Sequence, residues 1–163
     1  MRLFLIYTCL FTGLMLSAQN TITQVLKKMN KQSVPYIKVS ELKNKKYVLL
    51  DTREANEYKV SHIPNSIFVG FEHFKNQNLS LSVNDKNTPI VVYCSIGVRS
   101  EQIGEKLLKL GYKNVYNLYG GIFEYKNLGG KVVNSNNKET DSIHAFNKKW
   151  SIYLKKGIKV YEN

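Results

Sequence analysis

Seven consecutive residues, Cys94-Ser95-Ile96-Gly97-Val98-Arg99-Ser100, place a thiol, a turn-permissive glycine, a guanidinium and a hydroxyl close together in the chain. A thiol is a nucleophile as its thiolate, which forms readily near cations and at helix N-termini. Gly97 lets the backbone turn its amides inward as a concave anion nest. Arg99 offers a planar fork able to hold an oxyanion, and Ser100 can cap a helix or donate its hydroxyl. The chemistry this combination favours is a cysteine of lowered pKa attacking an anionic electrophile. Charge usage marks the same place. The chain carries 21 Lys and, past Arg2, only two Arg, Arg53 and Arg99. Each follows a strand terminus bearing a polar group, Asp51 or Cys94, so the guanidinium appears where fork geometry matters and lysine where charge alone suffices.

Such a loop needs elements to hold it. Pro89-Ile90-Val91-Val92-Tyr93 reads as a strand buried on both faces, and Ser100 to Leu110 as a helix offering Ile103, Leu107, Leu108 and Leu110 for one face. Cys94 therefore falls at the carboxyl end of a strand, where open parallel sheets bind ligands. Tyr47 to Asp51 is a second buried strand, followed by Arg53, a short helix Glu54–Val60 and a His62-Ile63-Pro64-Asn65 turn. Tyr36–Val39, Ser66–Val69 and Val115–Leu118 read as further strands, and a Gly120-Gly121 turn leads into a brief helix at Ile122–Asn127. Strands alternating with helices predict an α/β fold, an open and mostly parallel sheet flanked by helices. Ahead of it, residues 19–35 form a helical lead-in with Ile22, Val25, Leu26 and Met29 at helical spacing. Behind it, a polar break at Asn134–Glu139 opens an extension, 134–163. There Ile143, Phe146, Trp150 and Leu154 predict a helix packing its apolar stripe on the main domain, in preference to a cleft-lining role for Trp150.

Length and composition bound the rest. A chain of 163 residues with 43% hydrophobic and 12% aromatic residues fits one globular domain and excludes intrinsic disorder. Residues 1–18 give one Arg, an apolar run from Leu3 to Leu16 and then Ser17-Ala18, the order of a secretory signal peptide cleaved after Ala18. The run is shorter than the roughly 18–20 residues that span a bilayer, so the expectation is export to a periplasm or beyond with no membrane span retained. Cleavage removes Cys9 and leaves Cys94 as the one thiol, which excludes an internal disulfide. The three histidines, His62, His73 and His144, have no metal-site spacing, and neither metal nor cofactor is expected. The net charge of +12 attracts small anions or an acidic envelope surface, while no nucleic-acid motif occurs.

Three segments carry a family resemblance. Asp51-Thr52-Arg53-Glu54-Ala55-Asn56-Glu57-Tyr58, running on to His62-Ile63-Pro64, resembles the first signature of the rhodanese family. Ile90 to Ser100 resembles its active-site loop, and Gly111 to Ile122 its closing segment, in the family's order and over about residues 36–133. The resemblance implies a rhodanese-like sulfurtransferase. Cys94 would take a sulfane sulfur from an anionic, thiosulfate-like donor and pass it as a persulfide to a thiol or cyanide. The loop from Ser95 to Ser100 would cradle that persulfide and Arg99 would orient the donor. Ser61 and Asn65 replace glycines usual around the His-Ile-Pro turn, Tyr125 stands near a usual Trp, and residues past 134 lie outside the family domain.

Two alternatives stay open. One is a non-catalytic binding or persulfide-carrier module. The other is a cysteine phosphatase or arsenate-reducing variant, whose loops have five residues between Cys and Arg where this chain has four, favouring sulfur. Asp51 and Arg53 are supporting candidates, Asp51 more as a structural partner of Arg53 than as a polariser of the site. His62 is expected to order its turn.

Overall fold

The structure is a computed structural model that describes residues 21–75 and 83–161. Residues 1–18, where a signal peptide is expected, with Cys9, and part of the polar loop 76–87, lie outside the described residues. Strand β1 (Tyr36–Ile37), β2 (Val48–Asp51), β3 (Ile67–Phe68), β4 (Ile90–Tyr93) and β5 (Val115–Leu118) form a five-stranded sheet in the order β1-β5-β4-β2-β3. Every pairing in it is parallel, with Leu50 opposite Val92, Asp51 opposite Tyr93 and Val92 opposite Asn117. All four residues of the central β4 are buried, as its unbroken apolar run requires of a strand covered on both faces.

Alternation along β4 divides the core. Val91 and Tyr93 face one buried cluster with Ile37, Ile63, Leu118 and Phe123, while Ile90 and Val92 face the other with Leu50, Ile103 and Leu107. Helix α1 (Ile22–Met29), capped by Thr21, and α2 (Ala55–Val60) precede the central α3 (Val98–Lys109) and α4 (Gly121–Asn127). On α3, Ile103 and Leu107 are buried whereas Leu108, and Leu110 just past its end, are exposed. The helical turn of 100° per residue carries Leu108 off the face that Leu107 occupies. Helix α3 also starts at Val98, two residues before the expected Ser100, because Gly97 takes the capping position with φ 109°.

The extension departs from the expected helix. Val132–Val133 (β6) pairs antiparallel with Glu139–Thr140 (β7), and Ser142–His144 (β8) pairs parallel with Ile158–Val160 (β9). Between β8 and β9 lies a single 3₁₀ turn, Ser151–Tyr153. Ile143 is thus in a strand and Phe146 has a left-handed φ of 65°. Long-range pairing overrides the local periodicity: the Ala145 N–H donates to Val160 O at 2.7 Å. Polar side chains also bond the backbone in non-helical ways, Trp150 N–H to Asn147 Oδ1 at 3.1 Å and Phe146 N–H to His144 Nδ1 at 3.2 Å. The apolar residues still turn inward, since Ile143, Ala145, Tyr153 and Leu154 share the buried cluster of Val91 and Tyr93. Lys126 of α4 holds Asp141 at 2.6 Å, and Asn127 bonds the Tyr153 carbonyl, so the extension is tied to the helix beside the Cys94 loop.

Candidate functional site

The loop between β4 and α3 is held from both ends. At its base the Tyr93 hydroxyl lies 3.2 Å from the Ile63 N–H and 2.8 Å from Ser66 Oγ, which locks the turn after α2 onto β4. Cys94 O accepts the Ile122 N–H at 2.9 Å and Ser95 O accepts the Phe123 N–H at 3.1 Å, both from the first turn of α4. A Cβ at Gly121 would stand 2.3 Å from Cys94 O, so only glycine allows α4 to approach the loop this closely. The Gly97 carbonyl accepts from Asn30 Nδ2 and Asn117 Nδ2, each at 2.8 Å. With its carbonyl clamped on one side, Gly97 turns its N–H onto Cys94 Sγ at 3.2 Å.

Cys94 is a free thiol, 2% exposed. Burial pushes it up. The Arg99 charge, the Ser100 hydroxyl and the Ser100 and Gly97 amides outweigh that and hold it below the ordinary thiol value. Ser100 Oγ is 3.5 Å from Sγ and 2.8 Å from Asn117 Oδ1, and its single hydrogen serves one of them at a time. Ser100 therefore lies inside the first turn of α3 as a hydroxyl donor and does not cap the helix.

Arg99 reaches Glu57 of α2 through two parallel bonds, Nη1 to Oε2 at 2.6 Å and Nη2 to Oε1 at 2.8 Å, and adds Ser95 Oγ at 3.1 Å. Three of its five N–H donors are thus committed inside the protein. Glu57 also accepts Ser95 Oγ at 3.1 Å and the Glu54 N–H at 3.0 Å. Burial raises its carboxyl, but the Arg99 hydrogen bonds and charge win and hold it below the usual carboxylate range. Glu57 is a site residue that sequence reasoning passed over. It stands inside the first family-like segment, but nothing local points to a partner 42 residues away.

Asp51 and Arg53 make a separate pair. Arg53 Nη2 lies 2.7 Å from Asp51 Oδ2 and 2.6 Å from Ser61 O, and its own N–H donates to Asp51 Oδ1. This fastens the end of β2 to the end of α2. His62 stacks on Tyr58 at 3.8 Å between ring centroids and exchanges backbone bonds with Val133, so it orders its turn.

A pocket of ≈ 180 Å³ opens on Cys94. The loop residues Ile96, Val98 and Arg99 form its floor, and Met29 of α1 forms one wall. Phe146 and Trp150 of the extension form the other, so Trp150 lines the cleft as well as packing on the core. Larger clefts, ≈ 360 and ≈ 550 Å³, hold no thiol, and no group of three His, Cys, Asp or Glu able to hold a metal ion occurs among the described residues.

Comparison with known proteins agrees with the fold. The family model of the Rhodanese-like domain matches residues 38–128. A tRNA uridine(34) hydroxylase of Hamiltonella defensa subsp. Acyrthosiphon pisum is 38% identical over 98 residues, 55% of this chain and 27% of that protein. The protein of that name from Yersinia pestis is 40% identical over 82 residues, 48% of this chain and 23% of that one. The chain therefore spans about a quarter of the length of these relatives. A thiosulfate sulfurtransferase from Pseudomonas aeruginosa shares the fold, with TM-score 0.59 at 19% identity over 82% of this chain and 25% of the other. A rhodanese-related protein from Thermoplasma volcanium gives TM-score 0.52 at 29% identity, covering 61% of this chain and 97% of that one.

Proposed function

The chain belongs to the rhodanese-like domain family, and on that premise we propose that it is a sulfurtransferase carrying a sulfane sulfur on Cys94. The observation behind this reading is the lowered Cys94 thiol, bonded by the Gly97 amide in a loop too short by one residue for the phosphatase pattern. With thiosulfate as donor, the thiolate attacks the outer sulfur. The S–S bond breaks, sulfite leaves with the electron pair, and Cys94 becomes a persulfide anion. A thiolate or cyanide then attacks the outer sulfur, the bond to Sγ breaks, and the thiolate returns. The loop amides stabilise the anion at each stage, and Arg99, anchored by Glu57, supplies fixed positive charge beside it. No other group need be recruited. Hydroxylation of tRNA is named for proteins of which the match covers about a quarter and is not carried over.

Export belongs to the same proposal. A leader read from residues 1–18 would place Cys94 outside the cytoplasm as the sole thiol, a setting where a lone reactive cysteine needs a purpose. Two assays test the reading. Thiocyanate formation from thiosulfate and cyanide is expected of the native protein and lost in Cys94→Ser; a persulfide that forms without turnover would leave a carrier instead. N-terminal sequencing of protein recovered from the expressing cell is expected to begin near Gln19, and Met1 on cytosolic protein would overturn export.

A further inference from the structure

We propose that the Cys94 pocket selects sulfur compounds bearing an apolar substituent, and that Phe146 and Trp150 are the specificity-determining residues. This rests on the sulfur-transfer reading of Cys94. The walls carry the argument. Apart from Arg99 and the loop's Ser95, the thiol looks out on Met29, Ile96, Val98, Phe146 and Trp150. None of the chain's 21 lysines lines this pocket, and Lys149 rests its ammonium 5.9 Å from the Trp150 ring centroid outside it. The one cation among the described lining residues, Arg99, is turned to Glu57 by two short bonds and covered by the Phe146 ring, whose centroid is 5.0 Å from its Cζ. A dianion such as thiosulfate would exchange its hydration for apolar walls and a guanidinium already paired.

The open apolar surface points the same way. Phe146 and Met29 both line the pocket and are 44% and 50% exposed, leaving apolar surface that a substrate's own apolar group would cover. Phe146 is held there against backbone preference, at φ 65°, by its N–H bond to His144 Nδ1. Phe146 and Trp150 lie beyond the matched residues 38–128, so this wall is supplied by the extension. Replacing one charged oxygen of the donor by an aryl ring removes a charge and sets the ring against Phe146 and Trp150. The chemistry is unchanged: the Cys94 thiolate takes the outer sulfur of an arenethiosulfonate, the S–S bond breaks, and the sulfinate leaves with the electron pair.

The test compares benzenethiosulfonate with thiosulfate as donors to the full chain. Second-order constants for sulfur addition at Cys94 are read by mass spectrometry after acid quench and normalised to the same pair reacting with free cysteine thiolate. The native protein is expected to favour the aryl donor by about tenfold or more, the scale of burying one ring. Phe146→Asn, which keeps a residue tolerant of positive φ, and Trp150→Ala should each cut that ratio by about threefold or more. Phe146→Lys should cut it further, and Leu128→Ala, exposed and away from the pocket, should leave it in place. A normalised ratio near one, or a ratio untouched in both Phe146→Asn and Trp150→Ala, overturns the proposal while leaving sulfur transfer intact. Failure of both donors to load Cys94 overturns sulfur transfer itself and this inference with it. Thermal melting identifies a variant that has not folded, and Phe146→Asn, at the half-exposed position, then decides the matter.

Discussion

Arg53 and Arg99 each grip a carboxylate with two guanidinium nitrogens, but the settings differ. Arg53 and Asp51 are two residues apart, at 0% side-chain exposure for both. Arg99 and Glu57 are 42 residues apart, and 17% of the Arg99 side chain remains open while Glu57 is shut away at 2%. The first pair is sealed, and a charge so placed acts on its own neighbours. Burial opposes the charge on Arg53, yet the Asp51 carboxylate and its hydrogen bonds keep the guanidinium protonated above its ordinary range. The second pair borders the pocket, where Arg99 is the strongest influence drawing the Cys94 thiol down against burial. The same chemical pair thus ties two elements together in one place and draws a buried thiol down in the other.

Mutation should separate these roles. Arg53→Ala strands Asp51 as a buried, unpaired carboxylate and is expected to cost about 3–5 kcal/mol in denaturant unfolding, the largest stability loss of the set. A smaller loss, comparable to a surface substitution, would collapse the contrast. Arg99→Ala should raise the pH midpoint for alkylation of Cys94 by iodoacetamide and slow alkylation at neutral pH several-fold. Arg99→Lys, which keeps charge but loses the fork, should hold the midpoint closer to native. Equal midpoints in all three proteins would show that Arg99 does not condition the thiol.

The difference between the pairs also explains what could be read ahead of the structure. Asp51 and Arg53 were legible as partners because they are neighbours in the chain. The Cys94 loop and the parallel sheet were legible because a buried strand, a glycine turn and a helix follow one another locally. Glu57 was not, since its meaning depends on Arg99 across the sheet, and neither was Asn30, which clamps Gly97 from 67 residues away. The extension misled for a related reason: Ile143, Phe146, Trp150 and Leu154 have helical spacing, but pairing of Ser142–His144 with Ile158–Val160 is a tertiary fact that no local pattern encodes.

Smaller effects sharpen the comparison further. The Glu57 carboxyl titrates lower in the folded protein than at its ordinary value in an unfolded chain. Its contribution to stability is therefore complete above that value and is lost as pH falls through the folded one. Acid titration of unfolding free energy should fall less steeply in Glu57→Gln than in the native protein, and identical slopes would place the Glu57 linkage elsewhere. Ser100→Ala should cost about 1 kcal/mol, for the bond to Asn117 Oδ1, and should raise the Cys94 midpoint less than Arg99→Ala does. A larger rise would assign the single hydroxyl hydrogen to Sγ.

The most direct measurement of the central claim is the mass of the intact protein after incubation with a sulfane donor, followed by peptide mapping. The account predicts one added sulfur, on Cys94, removed by a thiol acceptor with return of the native mass and absent from Cys94→Ser. Protein that stays at its native mass with thiosulfate and benzenethiosulfonate alike, or sulfur that persists in Cys94→Ser, would contradict it.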